Sequence, residues 1–203
     1  MRHILIPCKP LREGKSRLAS VLSAAERWRL CADLLQHSLR LALSLPCGGD
    51  VRVVTPDPEA SDIAKAHGVA TIDDEGTGLN AALRRGLRVI QERADGDAAV
   101  LILPIDLPFA SADAVGRAFS AATDVVIAPD REQRGTNLLG LGYRALSMFP
   151  LAFGISSFAA HRDGAVNAGL TVEILDDPCL AFDLDEPEDY HRWRRHLRFT
   201  TGS

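Results

Sequence analysis

Short β-branched apolar runs alternate along this chain with longer stretches in which apolar residues recur every third or fourth position. That alternation is the pattern of an α/β fold with a mostly parallel sheet flanked by helices. Ile4-Leu5-Ile6 reads as the first strand. Ser23-Ala24-Ala25-Glu26 is a capping box, after which Leu30, Cys31, Leu34, Leu35 and Leu39 follow at helical spacing. A second strand is predicted over 51–54, and Pro58 suits the first turn of a helix that stops near Gly68. A third strand follows over 69–72, then a helix over 79–92. The most apolar strand, 98–103, belongs at the sheet centre, because only a strand covered on both faces is apolar throughout. A helix over about 111–122 and a strand over 124–128 come next. The stretch 129–142, rich in charge, glycine and asparagine, reads as a long loop plus a strand. A short helix after Ser156, a strand over 171–175 and a last helix from Pro187 complete the pattern, with Arg192, Arg194 and Arg195 placed to complement that helix's dipole.

At 203 residues the chain is expected to form one domain, 1–203, large enough for a full core. A formal charge of −4 argues against broad nucleic-acid or anionic-membrane binding, which rely on basic surfaces. No apolar run approaches a membrane span, and the first strand is too short for a signal-peptide core, so a cytoplasmic location is expected. Cys8, Cys31, Cys47 and Cys179 form no Cys-x-x-Cys pair, which leaves neither a disulfide framework nor a zinc knuckle indicated. The oligomeric state is left open, a homodimer included.

In an open α/β sheet the ligand sits in the crevice outside the carboxyl ends of the strands, and the unusual residues fall there. After the first strand, Lys9, Arg12, Lys15 and Arg17 surround Gly14, a cradle for phosphate or equally a solvated basic loop. It is not a Walker loop, because the Gly-x-x-x-x-Gly-Lys-Ser/Thr string is missing. The central strand runs into Pro104-Ile105-Asp106-Leu107-Pro108, where Asp106 either meets a divalent cation or bonds to local amides as a turn residue. In Asp183-Leu184-Asp185 the two carboxylates share one side of an extended chain and can reach one Mg2+ ion, whereas Asp185 alone also suits the start of a helix. Gly76-Thr77-Gly78-Leu79-Asn80 is a glycine loop with Asn80 or an acid available for a base edge, or a simple turn. Gly135-Thr136-Asn137 and Gly154-Ile155-Ser156-Ser157 offer amides and hydroxyls to a carboxylate or phosphate, the alternative being that Ser156 or Ser157 is an ordinary N-cap and His161 a packing residue.

Taken in order, these strings resemble the guanylyltransferases of coenzyme F420 biosynthesis, which act on 2-phospho-L-lactate, phosphoenolpyruvate or 3-phospho-D-glycerate. The likeness spans the chain and includes Ala128-Pro129-Asp130, Phe153-Gly154, Ser157-Phe158 and His161. It implies a nucleotide-diphospho-sugar-transferase-like nucleotidyltransferase fold and transfer of GMP from GTP to a small phosphorylated carboxylic acid. It further implies Mg2+ on Asp106, Asp183 and Asp185, with Lys15, Arg17 and Asp106 as the catalytic groups. The nucleotide would contact Lys9, Pro10, Leu11, Lys15, Gly78, Asn80, Pro104 and Asp106, and the acid would contact Thr136, Gly154 and Ser157. An acceptor phosphate is already largely ionised at neutral pH, so a missing general base is expected. Molybdenum-cofactor or sugar-phosphate nucleotidyltransferases are the rival enzymes, and a non-catalytic nucleotide-binding domain is the rival outside enzymes.

Overall fold

Strand β1 (Arg2–Pro7) alternates its side chains so that Ile4 and Ile6 enter one hydrophobic layer and Leu5 the other. The remaining strands are β2 (Asp50–Val54), β3 (Ala70–Ile72), β4 (Ala99–Ile102), β5 (Val125–Pro129), β6 (Thr136–Leu141) and β7 (Val172–Ile174). The computed structural model describes residues 1–45, 49–74, 78–93 and 98–200. Its seven strands form one sheet in the order β3-β2-β1-β4-β6-β5-β7, with β4, the most apolar stretch, in the middle. The β1–β2, β1–β4, β2–β3 and β5–β7 pairings are parallel, while β6 runs antiparallel to both β4 and β5.

Helices α1 (Ala24–Ser44), α2 (Pro58–Ala66), α3 (Leu79–Arg93), α4 (Ala112–Ser120), α5 (Tyr143–Met148), α6 (Ser157–Asn167), α7 (Pro178–Ala181) and α8 (Pro187–Thr200) complete the fold. The core layer holding Ile4 and Ile6 draws on α1, α2 and α4, and the layer holding Leu5 draws on α3, α5 and α6. Ser23 closes the expected capping box: Glu26 N–H donates to its hydroxyl, and its own N–H donates to the Glu26 carboxylate. Short helices at Ser16–Ser20 (3-10), α5 and α7 left no readable period, since none spans two α-helical turns. Arg192, Arg194 and Arg195 lie in the middle of α8 rather than in its last turn, because the helix runs on to Thr200.

A third apolar cluster, Leu18, Leu22, Leu30, Leu34, Phe182 and Leu184 with Tyr190 and Trp193 packed against it, seats the chain on either side of residue 183. Cys8, Cys31 and Cys179 are free thiols, and Cys47 lies outside the described residues. Among the described residues no helix is long and apolar enough to cross a membrane.

Candidate active site

Pro104 follows β4, and the chain turns at Ile105 and Asp106. The carbonyl of Asp106 accepts a hydrogen bond from the N–H of Leu184 at 2.9 Å. Phe182 and Leu184 are buried, so Asp183 and Asp185 face the opposite side of the extended segment, beside Asp106. Asp189 fixes the far end of this segment: its carboxylate accepts from the N–H groups of Asp185 (3.3 Å) and Glu186 (2.9 Å) and pairs with Arg131, whose guanidinium lies 4.7 Å over the Phe182 ring.

Into this acid corner comes Lys15, in left-handed conformation (φ 52°) and with its side chain only 7% exposed. Its ammonium lies 2.9 Å from Asp185 and 3.6 Å from Asp106. Burial opposes that charge, but Asp106 and Asp185 outweigh it and hold the pKa above the ordinary lysine range. Burial likewise disfavours a charged Asp185, but Lys15, Arg17 and Lys9 leave its pKa lowered. Asp183 has no such partner; burial first, then Asp106, Asp185 and Asp130, push its pKa up to about 6. Arg17 adds contacts of 3.6 Å to Asp185 and 3.2 Å to Glu186.

Among the described residues no three acidic, histidine or cysteine side chains form a closed metal-ligand group. The Lys15 ammonium stands between Asp106 and Asp185, where a cation would. The donor set nonetheless fits a hard divalent ion, being all carboxylate oxygen with unrelieved repulsion at Asp183.

The loop before Lys15 is held from behind. Cys8 N–H donates to the Val54 carbonyl (2.9 Å) and Leu11 N–H to the Asp57 carboxylate (2.7 Å), which also caps α2. Lys9 projects outward and Pro10 is half-buried, whereas Leu11, expected to touch the nucleotide, buries its side chain in the core and has committed its N–H. Burial pushes the Cys8 thiol up to about 12, leaving it protonated.

A second cluster opens at the same edge of the sheet. Because β6 is antiparallel, its first residue, Thr136, sits opposite Pro129, where β5 ends. Thr136 N–H donates to the Ser157 Oγ at 3.0 Å, and its Oγ1 lies 2.9 Å from His161 Nδ1. Nε2 of the same ring accepts from the Ala152 N–H at 3.0 Å. All three side chains are buried. Ser156 precedes α6 in left-handed conformation (φ 58°) and makes no side-chain cap, and Ser157 bonds to β6 instead, so neither is an ordinary N-cap. Gly154, at φ 142°, takes a conformation that a side chain would strain.

Asn80, expected at the nucleotide, commits its side-chain amide to the backbone of Phe153. Its amide nitrogen donates to the Phe153 carbonyl (2.8 Å) and its oxygen accepts from the Phe153 N–H (2.9 Å). It thereby clamps the loop at Phe153 to the start of α3, next to Gly78 (φ 94°). The preceding residues Glu75, Gly76 and Thr77 of that glycine loop lie outside the described residues.

The hairpin between β5 and β6 connects the two clusters. The Asp130 carboxylate accepts from the N–H groups of Glu132 (3.1 Å), Arg134 (2.8 Å) and Gly135 (2.7 Å). A Cβ on Gly135 would come within 2.8 Å of that carboxylate, so the turn requires glycine there. Arg131 N–H reaches the Ala181 carbonyl (3.1 Å), and the Arg134 carbonyl accepts from the Phe158 N–H (3.1 Å). Sequence reasoning missed Asp189, Arg131 and the use of Asp130 as a hub. The one visible signal was Asp130 followed five residues later by a glycine.

Its relatives make this chain a nucleotidyltransferase, and its clustered carboxylates, lysine and basic loop stand together at the carboxyl ends of parallel strands. Solved structures share the fold: a nucleotidyl transferase from Methanothermobacter superposes with TM-score 0.68 at 19% identity, covering 98% of this chain and 99% of its own. The chain belongs to the CofC-like guanylyl transferase family, whose model matches residues 2–196. The phosphoenolpyruvate guanylyltransferase of Chloroflexus aggregans is 39% identical over 194 residues, covering 93% of this chain and 94% of that protein. The 3-phospho-D-glycerate guanylyltransferase of Phenylobacterium zucineum is 40% identical over 182 residues, 87% of this chain and 82% of that protein.

Proposed function

We propose that this enzyme transfers GMP from GTP to the phosphate of a small phosphorylated carboxylic acid, releasing pyrophosphate. Phosphoenolpyruvate and 3-phospho-D-glycerate, the acids named for its relatives, are the first acceptors to consider, with 2-phospho-L-lactate third. One observation carries the reading: a carboxylate–lysine corner and a pair of buried hydroxyls open at the same edge of one sheet, joined by the 130–135 turn.

Lys9, Lys15 and Arg17 supply positive charge for the triphosphate, and the hydroxyls of Thr136 and Ser157 supply neutral donors for the acid. Asp106, Asp183 and Asp185 would hold Mg2+, which when bound offsets charge building up on the transferred phosphoryl group and on pyrophosphate. The acceptor's phosphate, with a second pKa of about 6, is ionised enough to attack without a general base. The protein's contribution is then to bring the acceptor oxygen into line with the α-phosphorus and to neutralise charge. The guanylylated acid is an intermediate suited to coenzyme F420 biosynthesis in the cytoplasm.

The test is pyrophosphate release with Mg2+, each nucleoside triphosphate being crossed against the three acids. Release with GTP and one acid is the expected result. Silence across the whole panel, or equal use of all nucleotides, overturns the assignment.

A further inference from the structure

We propose that His161 is a positioning residue of the acceptor site, fixing the Thr136 hydroxyl as a hydrogen-bond donor aimed at the bound acid. The inference rests on the reading that the acid binds at Thr136, Gly154 and Ser157.

His161 is fully buried between the rings of Phe149 and Phe153, at centroid distances of 5.3 and 4.7 Å. Both ring nitrogens are hydrogen-bonded, as burial demands, and the identity of the two partners fixes which nitrogen carries the proton. The Ala152 amide can only donate, so Nε2 must accept and carry no proton. A neutral ring in that state holds its proton on Nδ1, 2.9 Å from the Thr136 oxygen. Burial keeps the ring neutral, with a pKa down at about 4.

The consequence passes to Thr136. Its Oγ1 accepts from His161, so its own hydroxyl proton is left to donate elsewhere. Ser157 Oγ is in the same state, because it accepts from the Thr136 N–H. Among the described residues neither hydroxyl has an acceptor of its own. Two O–H donors of fixed polarity recognise a group that only accepts, such as a carboxylate, and discriminate against its amide or ester, which offers fewer or weaker acceptors. Through Ala152 the same ring also holds the loop that leads to Gly154.

Two readouts separate this role from simple packing. The first is the tautomer, seen in the 15N spectrum of protein labelled at its histidines, with His161 assigned by its disappearance in His161→Gln. Nδ1 should appear as the protonated, pyrrole-like nitrogen and Nε2 as the pyridine-like one; the reverse assignment overturns the proposal whatever the enzyme's substrate. The second is kinetic. His161→Leu should raise KM for the acid about tenfold, the weight of one hydrogen bond to a charged group, while KM for GTP changes less than about twofold. His161→Asn, which retains a donor near Nδ1, should recover much of the loss and serves as the informative variant if the leucine protein folds poorly. In a Thr136→Val background, His161→Leu should raise KM for the acid by much less than tenfold, the remainder coming from the lost Ala152 bond. Equal losses for acid and GTP, or an additive effect in the double variant, would overturn the positioning role. If Thr136→Val itself leaves KM for the acid unchanged, the site assignment fails while the tautomer result still stands.

Discussion

Leu184 donates its backbone N–H to the carbonyl of Asp106 at 2.9 Å, which ties the segment carrying Asp183 and Asp185 to the turn carrying Asp106 at the acid corner. Leu184 is buried, so its neighbours Asp183 and Asp185 have no alternative but to face the crevice. If that corner is the catalytic centre, Asp106→Asn should lower pyrophosphate release by at least about 100-fold, the scale seen when an electrostatic group acting on the transition state is lost. Because the side chain of Asp106 is partly exposed, the melting temperature should hardly move. Wild-type turnover in this variant would remove Asp106 from the chemistry.

Lys15 neutralises Asp106 and Asp185 from within the fold. Replacing it with methionine takes the lysine from Asp106 and leaves Asp185 only the more exposed Arg17 at 3.6 Å, and should destabilise the metal-free protein by about 1–3 kcal/mol. The same change should tighten Mn2+ binding to nucleotide-free protein, because the metal no longer competes with an ammonium. Calorimetric titration with Mn2+ is the check; weaker binding in Lys15→Met would count against competition at this position.

Asn80→Ala distinguishes two roles for one residue. As a nucleotide ligand, its loss would raise KM for GTP. As the clamp on both backbone groups of Phe153, its loss should raise KM for the acid more, by about 5- to 150-fold for the paired bonds at a typical 0.5–1.5 kcal/mol each. Steady-state kinetics with each substrate varied in turn decides between them.

Acid stability should show two opposing slopes. His161 has an ordinary pKa of 6.5 lowered to about 4, so the unfolded chain takes up this proton at a higher pH than the native protein does. Its contribution is therefore fully present above pH 6.5 and lost as pH falls to 4, by up to about 3 kcal/mol at about 1.4 kcal/mol per pH unit. Burial depresses His3 and His37 as well, and they act in the same direction. Asp183, raised from 3.8 to about 6, works oppositely: its contribution is present below pH 3.8 and lost as pH rises through 6. Asp183→Asn should therefore stabilise the metal-free protein at pH 8, on the order of 1–2 kcal/mol after allowance for solvent screening, and should steepen its loss of stability in acid. His161→Gln should flatten that loss. Urea unfolding across a pH series measures both, and an acid limb unchanged in both variants would refute the assignment.

Sheet membership and the crevice were readable because their signals are local. The apolar run of β4 placed it centrally, the capping box announced α1, and each acid stood directly after an apolar segment. What remained hidden depends on contacts across the chain. Asn80 lies 73 residues from the loop it clamps, and Lys15 lies 170 residues from Asp185. No spacing within a motif reports whether a lysine turns outward to a phosphate or inward to an acid. The reversal of β6 was invisible for a similar reason, since alternation of apolar residues carries no strand direction.

The turn at 130–135 bonds on one side to the chain entering the acid corner and on the other to the first turn of α6. On the proposed reading it therefore acts as a ruler between the two substrates. Slackening it would leave each substrate its own contacts while spreading the distance over which the attacking oxygen must search. Both substrates would then bind as before and react slowly, so the reach of the enzyme's chemistry would be written partly in the hairpin that spaces the two clusters.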